Sequence, residues 1–214
     1  MANAPEDIYT EPADVDVRTL ANLGPLTRLA GRWQGTRGVD VNPKADGPET
    51  QAYLETIDLQ PIDPQTNGPQ VLYGLRYHVH IVKPGEVETF HDQVGYWLWE
   101  AATNTVTHSL TIPRAQVVLA SGTAAPDAKE FELTAAAGAD SYGILSSPFI
   151  NAAFRTLSFR IRVTINDDGT WSYEEDTVMQ IPQRAEPFHH IDRNTLRRIA
   201  APAPNPTATS AAGA

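Results

Sequence analysis

The chain has 214 residues, no cysteine and a formal net charge of −10, from 16 Lys+Arg against 26 Asp+Glu. The lack of thiols excludes disulfides, zinc–thiolate sites, iron–sulfur clusters and cysteine nucleophiles. The acidic balance disfavours nucleic acid and anionic membranes as partners, and no apolar run approaches the roughly 18 residues of a membrane span. With no basic region and apolar run at the N-terminus, we expect a cytoplasmic protein with a small-molecule ligand.

Both ends of the chain are rich in proline, alanine and small polar residues. We predict a flexible N-terminal tail over residues 1–14, a single domain over 15–200 and a disordered C-terminal tail over 201–214. One short helix is predicted between Val15 and Leu29, because leucines recur there every three residues and Pro25 suits a helix start.

The rest of the domain has the pattern of β-strands. Apolar and polar residues alternate over Val71–Ile81 and Leu157–Ile165, and Asp168-Gly169 marks a hairpin turn before a run that begins at Trp171. Further strands are predicted at 31–39, 51–58, 89–99, 104–112, 116–121, 129–135 and 189–199. About ten strands with short turns predict an all-β, antiparallel up-and-down barrel, since closure removes exposed edges. Barrels of this size can hold a small ligand.

The segment Gly31-Arg32-Trp33 directly follows the predicted helix. The glycine allows the chain to approach its neighbours closely, and the tryptophan can plug the closed end of a barrel. The alternative interpretation is an ordinary core tryptophan at the start of a strand.

The six histidines are the main chemical resource of a chain without cysteine. His78 and His80 share one face of a strand, which indicates either a metal site with His91 or Glu86, or a solvated polar face. His108 lies on an apolar strand face. It is either a hydrogen-bonded core histidine or one polar group in an apolar pocket.

Two adjacent histidines open the last predicted strand. His189 and His190 must point to opposite faces, so only one of them can enter a barrel lumen. A single inward histidine in an apolar cavity is what a haem iron needs as its proximal ligand. The alternative is a terminal strand with polar side chains on its surface.

Six short motifs follow one another along the chain, and together they span roughly Leu23–Ala200. They are Gly31–Gly35, Tyr53–Glu55, Gly68–Tyr73, His91–Tyr96, Leu110–Gly122, and His189–Ile191 with Leu196–Arg198. In this order they resemble the nitrobindin family, small haem-binding β-barrels that are similar in shape to fatty-acid-binding proteins and lipocalins. The third glycine of the family's opening motif is replaced here by Arg37, with Gly38 one residue later.

The resemblance implies a ten-stranded barrel that holds haem b at one open end. It also implies that ferric haem binds nitric oxide and converts peroxynitrite to nitrate. The proximal iron ligand falls on His190, and His189 is the alternative because one extra residue separates His190 from Leu196. A one-residue slip would turn every side chain to the other face unless a bulge absorbs it. The expected haem-contacting residues are His190, His189, His108, Trp33 and Met179, with His190 as the metal ligand.

Three functions are therefore open at this stage. The first is a haem barrel that acts as a peroxynitrite isomerase. The second is a carrier of a fatty acid or another small hydrophobic ligand without haem, and the third is a metalloenzyme, since four residues resemble the cupin order of glycine, two histidines and a glutamate. The sequence leaves a homodimer open. The candidate carboxylate anchors are Arg76, Arg160 and Arg162, and the cupin-like residues are Gly74, His78, His80 and Glu86.

Overall fold

The computed structural model describes residues 7–212, so the predictions for residues 1–6 and 213–214 lie outside its range. Strands dominate, and every segment predicted as a strand is one. The strands are β1 (Gly31–Lys44), β2 (Gly47–Pro61), β3 (Gln65–Asn67), β4 (Gln70–Val82), β5 (Thr89–Glu100), β6 (Thr105–Ile112), β7 (Gln116–Thr123), β8 (Glu130–Ala137), β9 (Gly143–Ser146), β10 (Arg155–Ile165), β11 (Trp171–Gln180) and β12 (Phe188–Ala200).

The sheet closes on itself. Its strands follow the order β2-β1-β12-β11-β10-β8-β9-β7-β6-β5-β4-β3, and a further pairing of β2 with β4 completes the ring. Eleven strands take part in the ring, because β3 pairs only with β4. All pairings are antiparallel except that of the short β9 with β8. The predicted all-β antiparallel barrel is therefore confirmed, with β9 inserted between β7 and β8.

Alternation along the strands separates the core from the surface. On β10, Phe159, Ile161 and Val163 are buried. Arg160 and Arg162 point outward and form ion pairs with Glu132 of β8. The turn after β10 ends at Gly169, whose φ of 84° is a conformation that glycine adopts without strain.

One end of the barrel is closed by the segment before β1. Instead of one helix over Val15–Leu29, two short 3₁₀ helices form, Thr19–Ala21 and Gly24–Leu29. The second helix begins at Gly24, whose φ of 53° is a left-handed conformation. Because a right-handed α-helix does not accommodate this conformation, one continuous helix does not form here. Trp33 lies under this cover, and its Nε1 donates a hydrogen bond to the Leu29 carbonyl at 2.7 Å. The tryptophan therefore packs at the closed end, as a plug would.

A β-bulge in β1 explains the displaced glycine of the opening motif. In the pairing with β2, Gly35 opposes Glu55 and Gly38 opposes Tyr53, so β1 carries one extra residue between them. A side chain at Gly38 would collide with the ring of Tyr53. By contrast, β12 pairs with β11 without interruption from Phe188 to Leu196. The bulge near Gly38 thus belongs to β1, and the closing strand keeps a regular alternation from Phe188 to Leu196, while its own extra residue against β1 falls at Ile199.

Two short α-helices accompany the barrel, α1 (Pro148–Ala153) and α2 (Pro206–Ala211). The helix α2 lies in the segment that we expected to be a tail. Asn205, directly before it, is buried and donates hydrogen bonds to the Val17 carbonyl and to Asp63, both at 2.8 Å. These bonds attach residues near α2 to the barrel. Within residues 7–212, no helix has the length and apolar character needed to cross a membrane.

Candidate functional site

A cavity of about 270 Å³ opens at the end of the barrel opposite Trp33. Asp40 lies far along β1 from Trp33, and His190 lies at the start of β12, which places both near the open end. Both apolar and polar side chains line the wall, and several of the polar ones lie at the mouth. The apolar lining residues are Ile57, Leu59, Val79, Ile81, Phe90, Trp97, Ile161 and Trp171, and the polar ones are Asp40, Asn42, Lys44, Tyr53, Glu55, Tyr77, His91, Gln93, His108, Arg114, Tyr173, Glu175, His190 and Asp192.

The two adjacent histidines of β12 have opposite surroundings. The side chain of His190 is 30% exposed and lines the cavity. That of His189 is 60% exposed on the outer face, where its Nδ1 lies 2.9 Å from Asp176. Because β12 is regular, His190 shares its inward face with Asp192, Asn194 and Leu196. The alternative placement of His189 in the lumen is therefore wrong.

His190 is held by two carboxylates. Its Nε2 donates a hydrogen bond to Asp40 Oδ1 at 2.5 Å and lies 3.5 Å from Asp192 Oδ2. Asn42 fixes the other oxygen of Asp40 through its Nδ2 at 2.7 Å. Burial opposes the charged imidazolium, but the bond to Asp40 and the charge of Asp192 outweigh it and raise the pKa of His190. The ring is thus oriented by Asp40, and the two carboxylates favour its protonated form.

A second group of hydrogen-bonded polar side chains, centred on the Glu55 carboxylate, lies deeper in the barrel. Glu55 accepts hydrogen bonds from the Tyr173 hydroxyl at 3.0 Å and from Asn194 Nδ2 at 2.8 Å. Tyr53 hydrogen-bonds to the Tyr173 hydroxyl at 2.8 Å. Burial raises the pKa of Glu55 to about 7 in spite of these donors. The Glu55 carboxyl therefore changes charge near neutral pH.

Two more acidic residues, Asp192 and Glu175, also line the cavity. Burial and the charge of Asp40 raise the pKa of Asp192 to about 7. Burial and the charges of Asp192 and Glu55 raise the pKa of Glu175 well above its usual value. Four carboxyl groups therefore share one cavity wall, and each ionisation makes the next one harder.

Cationic groups lie at the mouth. The Arg114 guanidinium donates to the Phe90 carbonyl at 3.1 Å and approaches His91 Nδ1 at 3.4 Å. Burial and the charge of Arg114 lower the pKa of His91, although its hydrogen bond to Gln93 opposes this. Lys44 also lines the opening. The mouth therefore carries fixed positive charge beside the acidic wall.

A hydrogen-bonded relay extends to the deep part of the cavity. Gln93 Nε2 donates to the Tyr77 hydroxyl at 2.7 Å, and that hydroxyl lies 2.9 Å from His108 Nε2. The His108 ring stacks on Trp97 with 3.9 Å between ring centroids. Burial lowers the pKa of His108 to about 3, so this histidine is neutral. His108 is a hydrogen-bonded histidine that also lines the pocket.

Comparison with known proteins identifies the family. A family model described as "THAP4-like, heme-binding beta-barrel domain" matches residues 22–198. The chain belongs to this haem-binding β-barrel family. The crystal structure of Rv2717c from M. tuberculosis matches with a TM-score of 0.58 and 20% identity, covering 86% of this chain and 99% of that chain, which shows a shared fold. No protein of curated function matches the chain.

The family assignment confirms the resemblance found in the motifs, and the structure locates the residues that we expected to contact haem. His190 and His108 line the cavity. Trp33 and Met179 are buried but are not among the described residues that line it. Trp33 is instead held at the closed end by Leu29 and meets Trp171 edge to face. Contact of Trp33 and Met179 with haem therefore stays a prediction that the lining of this cavity does not support.

The residues of the alternative metal site and of the alternative carboxylate-binding site do not come together in the described part of the chain. His78 lies on the outer face and binds Asp92 at 2.8 Å, while His80 contacts Thr89 at 3.1 Å. His91 faces the cavity and lies apart from both of them. The candidate anchors Arg76, Arg160 and Arg162 are not among the described lining residues either, and the cavity receives Arg114 instead.

Sequence reasoning missed Asp40, Asp192, Glu175 and Arg114. A signal existed for Asp192, because it lies two residues after His190 and must share its face. No such signal existed for Asp40 or Glu175. They reach His190 only through the pairing of β12 with β1 and β11, which joins segments far apart in the chain.

Proposed function

We propose that the barrel binds haem b, with His190 as the residue that would hold the iron, and that the loaded protein would isomerise peroxynitrite to nitrate. The observation that carries this proposal is the position of His190. Of the two adjacent histidines, it alone lines the cavity, and Asp40 fixes one of its ring nitrogens. Membership of a haem-binding barrel family supports the same conclusion.

The donor set fits an iron-binding histidine. The hydrogen bond to Asp40 occupies Nε2, and Nδ1 makes no hydrogen bond to any residue in the range 7–212. Histidines that bind metals typically donate their other N–H to a carboxylate, which orients the ring and raises the basicity of the free nitrogen. His190 has this arrangement, with Nδ1 as the nitrogen available to the iron once it has lost its proton.

The surroundings of His190 also suit a large planar ligand with acidic groups. Haem carries two propionates, and Arg114 and Lys44 at the mouth provide cations to pair with them. The apolar wall formed by residues such as Val79, Phe90 and Ile161 suits a porphyrin face.

Bound haem would supply a ferric iron at which peroxynitrite rearranges to nitrate. The chain itself would contribute three things. His190 holds the iron and is held in turn by Asp40. The apolar wall excludes water from the ligand side, and Arg114 at the mouth attracts anions against the overall negative charge of the protein.

The alternative of a fatty-acid carrier receives less support from the cavity. A fatty acid needs an apolar lumen with a cationic anchor deep inside. Here Glu55 lies deep in the cavity and the row of Asp40, Asp192 and Glu175 also lines it, while Arg114 lies at the mouth. Ionised acids along the wall would repel a carboxylate and leave apolar chains beside polar groups.

A haem titration tests the proposal, with the neighbouring histidines as a matched pair. We expect the wild-type protein to shift the Soret band of added haem with one equivalent bound. The variant His190→Ala should lose this spectrum, and His189→Ala should keep it. The loaded protein should increase the yield of nitrate from peroxynitrite. The proposal fails if the wild type produces no Soret shift, or if the two variants behave alike. Displacement of a fluorescent fatty acid without haem binding would favour the carrier.

A further inference from the structure

Three side chains at the mouth are arranged like ligands of a metal ion. Asp40, His190 and Asp192 each offer one ligand atom, and these atoms all lie within 4.8 Å of one another. Asp40 and Asp192 oppose each other directly across β1 and β12. His190 lies two residues before Asp192, on the same inward face of β12. The three groups thus converge on one point of the cavity wall.

The row of acids continues onto a third strand. Glu175 of β11 directly opposes Asp192, so three adjacent strands place carboxylates side by side. Directly opposed like charges destabilise a sheet. Glu175 lines the cavity and makes no hydrogen bond or ion pair with any residue in the described part of the chain. Its carboxylate is therefore free to bind a cation that reaches the cavity.

We propose that Asp40, His190 and Asp192 form a binding site for a divalent first-row transition-metal ion, with Glu175 beside Asp192 as a further negative charge. One imidazole and several carboxylates suit zinc, manganese, cobalt or ferrous ions, and the lack of sulfur ligands disfavours softer ones. The ion takes the place of the proton that His190 Nε2 now shares with Asp40. Its two charges neutralise the opposed carboxylates.

A divalent ion at this site is a second ligand in addition to the proposed haem. When the ion is bound to His190, the same histidine cannot bind a haem iron. A neutral imidazole has a lone pair on only one nitrogen. When the ion occupies Nε2, Nδ1 carries the proton and has no lone pair for a haem iron. The barrel therefore accepts either a divalent ion or an axially ligated haem at His190, and each one competes with the other.

Cobalt provides the direct probe, because Co²⁺ bound by nitrogen and oxygen ligands absorbs visible light. The full-length protein is first freed of metals with a chelator and of haem, and is then titrated with CoCl₂ and back-titrated with ZnCl₂. We expect one equivalent to bind. The isosteric variants Asp192→Asn and Asp40→Asn should bind Co²⁺ at least roughly tenfold more weakly, since even partners outside the ligand shell contribute that much.

The matched control is the exposed histidine–carboxylate pair on the outer face, His189 with Asp176. His189→Ala should bind Co²⁺ like the wild type. Saturation with Zn²⁺ should suppress the Soret shift of added haem, and Asp192→Asn should remove this suppression while it retains haem binding. The proposal is overturned if the wild type binds no Co²⁺, if Asp192→Asn binds it normally, or if His189→Ala abolishes binding. Cobalt binding without any Soret shift would leave the metal site standing and refute the haem proposal.

Discussion

At the scale of single residues, Arg114 contributes a charge whose effect can be measured without any ligand. It follows β6 in the chain and reaches the mouth, where its guanidinium lies 3.4 Å from His91 Nδ1. Its positive charge disfavours protonation of two of the three cavity histidines, His91 and His190. The positive charge of Arg114 at the mouth therefore opposes the negative charge of the acidic cavity wall behind it.

Replacing Arg114 by Gln should therefore raise the pKa of His91 and that of His190, as measured by NMR titration of the imidazole protons. Haem affinity should fall by roughly threefold to tenfold, which corresponds to about 1 kcal/mol for one partly solvated charge. The outer-face variant Arg162→Gln, which loses only its pairing with Glu132, is the control. An unchanged or lowered pKa of His91 would show that Arg114 does not act on it.

The two histidines of β12 show how far single residues can be predicted from the sequence. Alternation requires that only one of His189 and His190 faces inward, and the motif comparison points to His190. The structure places His190 on the inward face, because β12 pairs with β11 without interruption from Phe188 to Leu196. The partners of His190 were beyond reach, since Asp40 comes close only through long-range strand pairing.

At the scale of secondary-structure elements, the long strands were predictable and the short ones were not. A strand such as β10 alternates apolar and polar residues over its full length, which gives a clear period of two. The strand β9 has four residues, and its Leu145 is 74% exposed, so it offers no such period. The helix α1 did carry a signal, because Ser147 caps it by accepting a hydrogen bond from the Ile150 amide and Pro148 follows at the first position.

The closed end of the barrel depends on the contact between the second 3₁₀ helix and β1. Trp33 is 1% exposed, is bonded to Leu29 and lies against the Arg198 guanidinium, 4.7 Å from its ring centroid. Trp33→Ala should lower the free energy of unfolding by about 3–5 kcal/mol in urea denaturation, because it leaves a large cavity under the helix. Trp33→Phe fills most of that space and should cost less.

The control for this prediction is Tyr96→Ala, which removes a large aromatic ring that is 43% exposed on the outer face of β5. It should cost less than about 1 kcal/mol, as surface substitutions usually do. Equal losses at positions 33 and 96 would mean that the 3₁₀ cover does not stabilise the barrel through Trp33.

At the scale of the whole molecule, the negative charge of the protein extends into its interior. The net charge of −10 includes four acids that line one cavity, and among residues 7–212 His190 is the one cation that forms an ion pair with Asp40 and Asp192. Outer-surface acids are either solvated or bonded to cations such as Arg160. The acids inside the cavity are neither fully solvated nor fully paired with cations. Their protonation is therefore linked to the folding of the barrel.

This linkage predicts that the folded state becomes less stable as the pH rises from about 5 to 8, because two raised carboxyl pKa values outweigh the lowered pKa values of His108 and His91, which act in the opposite direction below about pH 6.5. The pKa of Glu55 is raised from 4.5 to about 7 and that of Asp192 from 3.8 to about 7, so between those values the folded chain binds more protons than the unfolded one. The raised pKa of His190 acts in the same direction, since its favourable charge is lost as the pH rises through that pKa. For Glu55 alone the effect is on the order of 3 kcal/mol.

Thermal unfolding monitored by circular dichroism should thus give a higher Tm at pH 5.5 than at pH 8 in metal-free, haem-free protein. Glu55→Gln keeps the shape of the side chain and can still accept from Asn194 and donate to Tyr173, so it should flatten this dependence and raise the Tm at pH 8. Acids outside the cavity with a lowered pKa, such as Asp63, lose their stabilising charge only below about pH 4 and do not interfere. A Tm that rises with pH over this window, or a slope that Glu55→Gln leaves unchanged, would contradict the linkage. Added Zn²⁺ should reduce the slope through Asp192, because the bound ion replaces the protons that stabilise the carboxylate row.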